Sequence, residues 1–308
     1  MSNRQRVAVI GSRGQLGSDL VEALRNREVF EVVPLTREQA DCTDADAVRR
    51  TLLQTRPGIV VNCAAFVRVD DCEDHAKEAF EINALGALYI ARACAEIDAM
   101  CVYISTDYVF DGAKISAYTE SDAPCPINVY GASKLTGEHL VRQAAPRWLV
   151  VRMASLFGKT GARGKGGNFV ETVIAKAKAR EPLRIVDDLR MSPTYSYDAA
   201  QAVVQLLQSN ATGLLHLTNH GCCTWYEFAA AILAMTGLSA EIEAVSSRSY
   251  PAKAARPKNS SLASERLDGI LSLPLRSWSS ALTAYLVEKA YISNPTSHQR
   301  VQALPCED

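Results

Sequence analysis

Five short apolar runs in the first half of the chain alternate with longer stretches of helical periodicity, and this alternation restricts the fold more than any other feature. The runs cover residues 6–10, 31–35, 58–62, 101–105 and 148–152. Strands joined by helices of this length form right-handed crossovers and lie parallel in one sheet. The sequence therefore predicts an α/β protein with a Rossmann-type doubly wound parallel sheet, whose ligands bind at the carboxyl ends of the strands.

The turn after the first run is rich in glycine and reads Gly-Ser-Arg-Gly-Gln-Leu-Gly over residues 11–17. Glycines allow a tight turn and a close approach of the backbone to a diphosphate, which the positive end of the following helix attracts. Such a turn also occurs without a ligand, but its place in the first strand–turn–helix unit favours a dinucleotide. The residues predicted to bind the cofactor here are Gly11, Arg13, Gly14, Gln15, Leu16 and Gly17.

Where an NAD-binding protein places an acidic residue after the second strand, this sequence has Arg37. Together with Arg13 it favours a ribose 2′-phosphate, and hence NADPH, although NADH or two solvated surface arginines are alternatives. Asp41 is expected near the adenine, while Thr43 or Asp44 could cap the next helix.

The third run ends in the small residues Cys63, Ala64 and Ala65, which would let a cofactor pass over the end of the strand. A helical pattern then covers residues 76–97 and carries Asn83 within an otherwise apolar and small face. These four residues complete the predicted cofactor set together with Tyr130 and Lys134.

Tyr130 and Lys134 are four residues apart in a second helical stretch, so both side chains lie on one face, one turn apart. A lysine charge beside a phenol lowers the pKa of the phenol from about 10, so that it can exchange a proton nearer neutrality. Thr106, at the end of the fourth run, can supply a second hydroxyl. The pair alone would mean little on a helix, and it gains weight from the dinucleotide pattern before it.

Composition excludes several other classes of protein. The chain has 308 residues and a net charge of −1, which gives no electrostatic basis for binding nucleic acid or an anionic membrane. No apolar run reaches the roughly 18 residues of a membrane span, and the start of the chain leads directly into a strand, so no signal peptide is expected. The nine cysteines are scattered and odd in number, as in a reduced, cytoplasmic protein.

The domain boundaries follow from where the strong strands stop. Residues 1–150 are predicted to form the NAD(P)-binding domain, rejoined by residues 192–218, and residues 151–308 the substrate-binding part, mainly 151–191 and 219–292, with a flexible tail at 293–308. Residues 159–167 carry three positive charges and four glycines and could close on a diphosphate or simply be a surface loop. Trp225 and Phe228 are expected in the core of this part.

The chain resembles the dTDP-4-dehydrorhamnose reductase family, which belongs to the extended short-chain dehydrogenases/reductases. The resemblance runs from about Val7 to about Ala284. The glycine turn and the Tyr-x-x-x-Lys spacing are shared by the whole superfamily, whereas the later motifs are narrower. The matching motifs are Ser-Thr-Asp-Tyr-Val-Phe (105–110), Asn-Val-Tyr-Gly-x-x-Lys (128–134), Gly-Gly-Asn-Phe (166–169), Ser-Pro-Thr (192–194), Thr-Trp-Tyr-Glu-Phe (224–228) and Arg-Pro-Lys-Asn-Ser (256–260).

The resemblance implies that NADPH delivers a hydride to the C4 ketone of a nucleotide-linked 4-keto-6-deoxyhexose. Tyr130 would then protonate the developing alkoxide, Thr106 would hydrogen-bond the same oxygen, and Lys134 would hold the ribose. Asp107 and Tyr108 would line the sugar pocket, although Asp107 could equally be a structural cap.

The resemblance also implies three further substrate-binding residues. Asn168 and Phe169 would contact the nucleotide sugar, with Asn168 also able to cap a helix. The loop 246–262 would close over the substrate, and its Arg256 would contact the diphosphate.

Two departures from the family pattern bear on the substrate and on a metal. Ser155 stands where family members commonly place a Trp against the sugar, so the identity of the hexose stays open. The positions that bind a metal at a dimer interface in some members correspond here to Asp19 and Tyr197, so no metal is predicted. A homodimer remains an alternative to a monomer.

Three functions are compatible with these patterns. The first is the reduction of dTDP-4-dehydro-L-rhamnose to dTDP-L-rhamnose, and the second is the reduction of another nucleotide-linked ketosugar. The third is a regulatory subunit that resembles the β subunit of methionine adenosyltransferase and binds NADP without catalysis. The Gly-Gly-Asn-Phe motif favours the reductases.

Overall fold

The computed structural model describes residues 4–160, 167–249, 252–267, 269–272 and 274–293. The predicted tail from residue 294 onward and residues 161–166 of the predicted basic loop lie outside these residues. The strands are β1 (Gln5–Ile10), β2 (Phe30–Leu35), β3 (Ile59–Asn62), β4 (Met100–Thr106), β5 (Trp148–Met153), β6 (Leu156–Phe157), β7 (Leu183–Val186), β8 (Arg190–Met191), β9 (Thr194–Tyr195), β10 (Gly213–His216), β11 (Cys223–Thr224) and β12 (Ile242–Val245).

The α-helices are α1 (Gln15–Arg25), α2 (Ala45–Thr55), α3 (Val69–Asp74), α4 (Ala76–Phe80), α5 (Gly86–Glu96), α6 (Val129–Ala144), α7 (Phe169–Lys178), α8 (Ser196–Gln208), α9 (Trp225–Thr236) and α10 (Trp278–Glu288). A π-helical turn covers Glu81–Leu85, and short 3₁₀ turns cover Asp107–Val109 and Ser247–Ser249. Within the residues that the structure describes, no helix combines the length and the apolar character needed to cross a membrane.

Six strands form one parallel sheet in the order β10-β5-β4-β3-β1-β2. Side chains of β1 alternate between the two faces: Val7 and Val9 pack with α1 and α8, whereas Ala8 and Ile10 pack with α2, α5 and α6. Helices therefore cover both faces of the sheet, which explains why its strands are almost continuously apolar. The predicted fold class is confirmed.

The chain reverses its direction of travel across the sheet between β2 and β3, because these two strands lie on opposite sides of β1. Crossover connections leave β1 and β3 in opposite directions at such a point, and a crevice opens at the carboxyl ends of the strands. The sheet thus places the ends of β1, β3, β4 and β5 around one crevice.

The helix predicted over residues 76–97 is interrupted in its middle. It consists of α4, the π-helical turn and α5, which follow one another without a gap. The wider turn lets the Asn83 carbonyl accept a hydrogen bond of 2.7 Å from the Tyr103 hydroxyl. Helix α6 lies close to this turn, since a Cβ atom at Gly137 would come within 2.3 Å of the Asn83 oxygen. Turns of this kind often mark functional sites, and here the turn lies behind the crevice.

The second half of the chain builds a smaller unit around aromatic side chains. Helices α7, α9 and α10 pack with the short strand pairs β7–β12, β8–β11 and β6–β9 around Phe157, Tyr195, Phe228 and Tyr285. Thr224 caps α9 as predicted and forms a reciprocal capping box with Glu227. Helix α8 and strand β10 return to the large sheet, where β10 pairs with β5.

Candidate active site

A cavity of about 730 Å³ opens at the carboxyl ends of the central strands. It extends from the glycine turn, past the ends of β3 and β4 and the first turn of α6, to the start of α7. Every residue predicted to bind the cofactor lines this cavity except Asn83, and every residue predicted to bind the substrate lines it except Arg256. The fold therefore brings together predicted site residues that lie as much as 158 positions apart in the sequence, from Gly11 to Phe169.

The glycine turn is packed too tightly for any side chain at two of its positions. Gly11 has a φ of +77°, and a Cβ atom there would lie 2.9 Å from the Ala64 nitrogen, while one at Gly17 would lie 2.2 Å from the Gly11 oxygen. No side chain caps the N-terminus of α1, and the Gln15 Oε1 atom is buried without a hydrogen-bond partner among the described residues. Open backbone N–H groups at the start of α1, beside this cavity, fit an anionic ligand such as a dinucleotide diphosphate, whereas the Gln15 oxygen can only accept a hydrogen bond.

The residues predicted around the adenosine ribose are tied to one another at the surface. The Arg37 Nε atom lies 3.1 Å from the Asp41 Oδ2 atom, and this interaction raises the pKa of Arg37. The other oxygen of Asp41 accepts hydrogen bonds from the nitrogen and the hydroxyl of Thr43. Of the proposed caps, it is Asp44 that accepts the Ala47 N–H at the start of α2. Asp41 thus orients Arg37 towards the rim of the cavity.

Helix α6 holds Tyr130 and Lys134 in place from its first turn. The Asn128 side chain caps the helix by accepting the Gly131 N–H at 2.7 Å, and Tyr130 follows two residues later with one face towards the cavity. The Thr106 hydroxyl lies close enough to the Tyr130 hydroxyl to lower the pKa of the phenol, and both residues line the cavity. The fold therefore brings these two predicted residues together.

The prediction that Lys134 lowers the pKa of Tyr130 is wrong for this structure. Desolvation by the surrounding protein raises the pKa of the Tyr130 phenol above its ordinary value, and the Thr106 hydrogen bond offsets this only in part. The Lys134 amine instead donates a 2.6 Å hydrogen bond to the Ile104 oxygen and lies 4.1 Å from the centre of the Tyr103 ring. The loss of water around the Tyr130 phenol therefore affects its pKa more strongly than the nearby Lys134 does.

Burial also lowers the pKa of Lys134 to about 7, and the Glu138 carboxylate one turn further along α6 is the largest effect opposing this. Glu138 is itself buried and accepts hydrogen bonds from Arg152, at 2.9 and 2.7 Å, and from Ser105. Sequence reasoning missed Glu138, although its i,i+4 spacing from Lys134 on the same helix was a visible signal.

Asp107 and Tyr108 leave β4 directly into the cavity wall. The Thr106 hydroxyl donates to the Asp107 Oδ1 atom at 3.0 Å and accepts the Tyr108 N–H, so Thr106 rather than Asp107 caps the short turn that follows. Burial raises the pKa of Asp107 to about 6, and the hydrogen bond from Thr106 offsets this only in part. The Tyr108 ring stands edge-on to the Tyr130 ring with centroids 5.9 Å apart. Both side chains therefore border the space beside the Tyr130 hydroxyl.

Asn83 does not reach the cavity. Its side-chain oxygen accepts the Phe66 N–H at 2.8 Å, and its nitrogen donates to the Phe66 oxygen and to the Ser133 hydroxyl at 3.1 and 2.9 Å. The Ser133 hydroxyl in turn donates to the backbone carbonyl oxygen of Tyr130. Asn83 therefore connects the loop after β3 to the first turn of α6, and it can affect a cofactor only through these segments.

The far end of the cavity is aromatic. Asn168 caps α7 by accepting the Glu171 N–H and donates to the Gly158 oxygen at 2.8 Å, so its side chain is engaged within the protein. Phe169 follows it and packs against Trp225 with ring centroids 4.7 Å apart. Trp225 was expected in the core, but it is only half-buried and lines the cavity, as does the buried Phe228. The periodicity of α9 could not show whether Trp225 lies in the core or in the cavity wall, because the two are adjacent at this helix.

Ser155 lies in the cavity wall and has a φ of +43°, which is uncommon for a residue with a side chain. The two residues at the predicted counterparts of a family metal site form no such site: Asp19 accepts a hydrogen bond from Ser196, and Tyr197 is exposed. In the described part of the chain, no group of three or more His, Cys, Asp or Glu side chains is arranged to hold a metal ion.

A glycine turn and a Thr–Tyr–Lys set that share one cavity on a doubly wound sheet are the features of an extended short-chain dehydrogenase/reductase. Comparisons with known proteins narrow this class. Residues 5–291 match the family model described as RmlD substrate binding domain. The chain belongs to the dTDP-4-dehydrorhamnose reductase family.

Several similar proteins match this chain along nearly their whole lengths. The spore coat polysaccharide biosynthesis protein SpsK of Bacillus subtilis strain 168 is 39% identical over 92% of this chain and 98% of its own. The dTDP-4-keto-6-deoxy-D-glucose reductase of Streptomyces niveus is 35% identical over 90% of this chain and 95% of its own. The crystal structure of dTDP-4-dehydrorhamnose reductase from Bacillus anthracis in complex with NADP has a TM-score of 0.88 and 36% identity, and it covers 92% of this chain and 99% of its own.

These findings confirm the predicted family. They also confirm the prediction of an oxidoreductase, because relatives that match nearly the whole chain, the Streptomyces niveus and Bacillus anthracis proteins among them, are named as reductases.

Proposed function

We propose that this protein uses NADPH to reduce the C4 ketone of dTDP-4-dehydro-L-rhamnose, forming dTDP-L-rhamnose. The observation that carries the proposal is the paired hydroxyls of Tyr130 and Thr106, which face the same cavity as the glycine turn. A ketone between them would lie beside a proton donor and within reach of a bound dinucleotide. The names of the relatives support this choice of substrate.

The cofactor would be held by the chain's own polar groups. The N–H groups at the start of α1 would donate to the diphosphate, while Arg13 and Arg37 at the rim would pair with a 2′-phosphate and so favour NADPH over NADH. Cys63, with the alanines after it, provides the small surface under the cofactor. When bound, NADPH supplies the hydride.

Tyr130 would supply the proton. Because its pKa is raised, the phenol stays fully protonated at neutral pH, and it gives up its proton only to a stronger base such as the alkoxide that forms at C4. Thr106 would turn its O–H group away from Asp107 to donate a hydrogen bond to the same oxygen and stabilise its developing charge. Lys134, charged when a ligand supplies further partners, would hold the ribose and favour the return of a proton to Tyr130.

The substrate would lie along the rest of the cavity. Asp107 and Tyr108 border the space for the sugar, and the aromatic end formed by Phe169 and Trp225 offers flat surfaces on which a base can stack. Asn168 would shape this end by fixing the start of α7.

Reduction of dTDP-4-keto-6-deoxy-D-glucose is the second candidate. It is favoured by the relative that carries this activity in its name and by Ser155, whose small side chain forms part of the wall near the predicted sugar position. The two substrates share the ketone chemistry and differ in the shape of the hexose, so this wall is where they would be distinguished.

The experiment is an NADPH-oxidation assay with both ketosugars, using the purified protein and two variants. Tyr130→Phe is expected to lower kcat by about 10²–10⁴-fold while the Kd for NADPH changes by less than about twofold, because only the transferred proton is removed. Tyr197→Phe, an exposed tyrosine outside the cavity, is the matched control and should retain wild-type rates. Normal turnover by Tyr130→Phe would remove Tyr130 from the chemistry, and faster reduction of the glucose-derived ketone would favour the second candidate.

We also propose that the protein acts in the cytoplasm, where dTDP-sugars and NADPH are both available. A homodimer is the association state we propose to test, by light scattering against the chain mass of 33.4 kDa. A mass of one chain would reject it.

A further inference from the structure

A two-pronged ion pair lies just outside the cavity, between Asp70 at the start of α3 and Arg256. The two nitrogens at the tip of the guanidinium lie 2.9 and 2.8 Å from the two carboxylate oxygens. Asp70 also accepts the Ala254 N–H, and Arg256 also donates to the Ala254 oxygen, each at 2.9 Å. The ion pair and the two bonds to Ala254, together called the clasp here, engage the tip of the guanidinium within the protein. The pKa of Asp70 falls to about 2, chiefly because of Arg256.

The clasp holds down the segment 252–262, called the strap here, which crosses the protein next to the cavity. The strap is seated along its length: Asn128 donates to the Ala255 oxygen at 2.8 Å, and Asn259 donates to three successive carbonyls of residues 114–116. The backbone of the strap also packs directly against Gly112, since a Cβ atom at Gly112 would lie 2.4 Å from the Lys258 nitrogen. Arg256 is therefore fixed from both ends of the strap.

The clasp reaches the cavity at Tyr108. The Arg256 guanidinium lies close enough to the Tyr108 hydroxyl to oppose the rise that burial causes in the pKa of this phenol, and neither Arg256 nor Asp70 lines the cavity itself. The backbone of Tyr108 is held from the other side by α6, since a Cβ atom at Gly131 would lie 2.0 Å from the Tyr108 oxygen. The ring fixed between these two supports is the one that stands edge-on to Tyr130.

We propose that Asp70 and Arg256 are positioning residues for the ketosugar, which fix the Tyr108 ring as the wall of the sugar pocket beside Tyr130. This inference rests on the proposed function, because it concerns the same pocket. It differs from the sequence-based prediction for Arg256, in which the guanidinium contacts the diphosphate of the substrate. In the structure, the tip of the guanidinium is directed to Asp70 and Ala254, and a phosphate could engage it only by displacing them.

The test uses two ligands that differ only by the sugar. The Kd values of dTDP-L-rhamnose and of dTDP are measured by calorimetry in the presence of NADP. The Kd for dTDP divided by the Kd for dTDP-L-rhamnose reports the contribution of the sugar pocket without requiring turnover. Asp70→Asn is expected to reduce this ratio about tenfold, as befits the loss of a charge-assisted pair, and to leave the Kd for dTDP within about twofold. Arg256→Lys keeps the positive charge but not the two-pronged geometry, and it is expected to behave like Asp70→Asn.

The matched control is Asp74→Asn. Asp74 lies on the same helix as Asp70 and pairs with Lys253 of the same strap, but this pair is exposed and makes no contact with Tyr108. The control should leave both Kd values within about twofold of the wild type. Loss of the sugar contribution in Asp74→Asn would show that any loosening of the strap is sufficient, and it would overturn the specific role of the clasp.

A double-mutant comparison shows whether the clasp acts through Tyr108. Tyr108→Phe removes the hydroxyl that lies close to Arg256, so Asp70→Asn combined with Tyr108→Phe should lose no more of the sugar contribution than the more severe single variant. If the factor lost by the double variant equals the product of the factors lost by the two single variants, the clasp acts elsewhere, and the proposal is rejected. A loss of dTDP affinity in Arg256→Lys equal to the loss for dTDP-L-rhamnose would also reject it, in favour of a diphosphate contact. Failure of the proposed function would show separately, as absence of ketone reduction by the wild type in the NADPH-oxidation assay.

Discussion

Replacing Lys134 by methionine should make the protein more stable while removing its function. The lysine is 2% exposed, and its pKa is lowered from 10.5 to about 7. At pH 7 the unfolded chain binds a proton that the folded chain holds only half of the time, and this difference costs about 4 kcal/mol of folding free energy. Methionine has a similar length and no charge to bury.

The expected gain is smaller than this cost, because the lysine also makes favourable contacts. Its hydrogen bond to the Ile104 oxygen and its position over the Tyr103 ring are together worth about 2 kcal/mol. Lys134→Met should therefore raise the free energy of unfolding by about 2 kcal/mol at pH 7. The wild type gains stability relative to the variant as the pH rises from 7 towards 10.5, since the unfolded lysine then loses its proton too, and near pH 9.5 the advantage of the variant should have disappeared.

The assay is urea denaturation of both proteins without cofactor at pH 7 and at about pH 9.5. Lys77→Met, which replaces a lysine whose side chain is 90% exposed, is the control and should change the free energy of unfolding by less than about 0.5 kcal/mol at both pH values. NADPH binding, measured by fluorescence, should be lost only in Lys134→Met. A Lys134→Met variant that is less stable than the wild type at pH 7, or whose gain persists at the higher pH, would refute the reasoning that desolvation of the ammonium dominates.

Further predictions concern the cofactor side of the cavity. Gly17→Ala should abolish NADPH binding or destabilise the fold, measured by fluorescence titration and thermal melting, because the new methyl group would lie 2.2 Å from the Gly11 oxygen. Unchanged affinity and melting temperature would contradict this packing. Asn83→Ala should lower the free energy of unfolding by roughly 2–4 kcal/mol in urea denaturation, since it leaves buried partners unsatisfied, and a loss below about 0.5 kcal/mol would show that the hydrogen bonds of Asn83 to Phe66 and Ser133 are dispensable. Replacing Arg13 and Arg37 by glutamine should reduce the preference for NADPH over NADH by at least about tenfold in kcat/KM, whereas an unchanged preference would mean that other groups bind the 2′-phosphate.

The sequence could predict the parts of this protein that depend on local patterns. Each strand of the large sheet up to β5 is a short apolar run, and the glycine turn needs only its own spacing and its place between β1 and α1. The same holds for Tyr130 and Lys134, which share a face because they belong to one helix, and for the caps at Asn168 and Thr224, where a polar residue precedes an apolar periodic stretch. The location of the cavity followed as well, because the carboxyl ends of parallel strands must meet at one edge of the sheet.

Other features depend on contacts between distant segments, which no local pattern records. The distance in sequence from Asp70 to Arg256 is 186 residues, and only the folded chain shows that Arg256 pairs with this carboxylate. Trp225 has the periodicity of a core residue, and its exposure to the cavity depends on where α7 happens to lie.

The protonation of the site was decided by tertiary structure for the same reason. A Tyr–Lys spacing suggests that an ammonium acidifies a phenol, but the sign of the effect depends on how much water the rest of the fold removes from both groups. Here desolvation raises the pKa of Tyr130 and lowers that of Lys134, against the trend expected from their charges alone. The sequence by itself therefore determined that the glycine turn, Thr106, Tyr130 and Lys134 meet at the site, whereas the tertiary structure determined where Asn83 and Arg256 lie and which groups hold their protons.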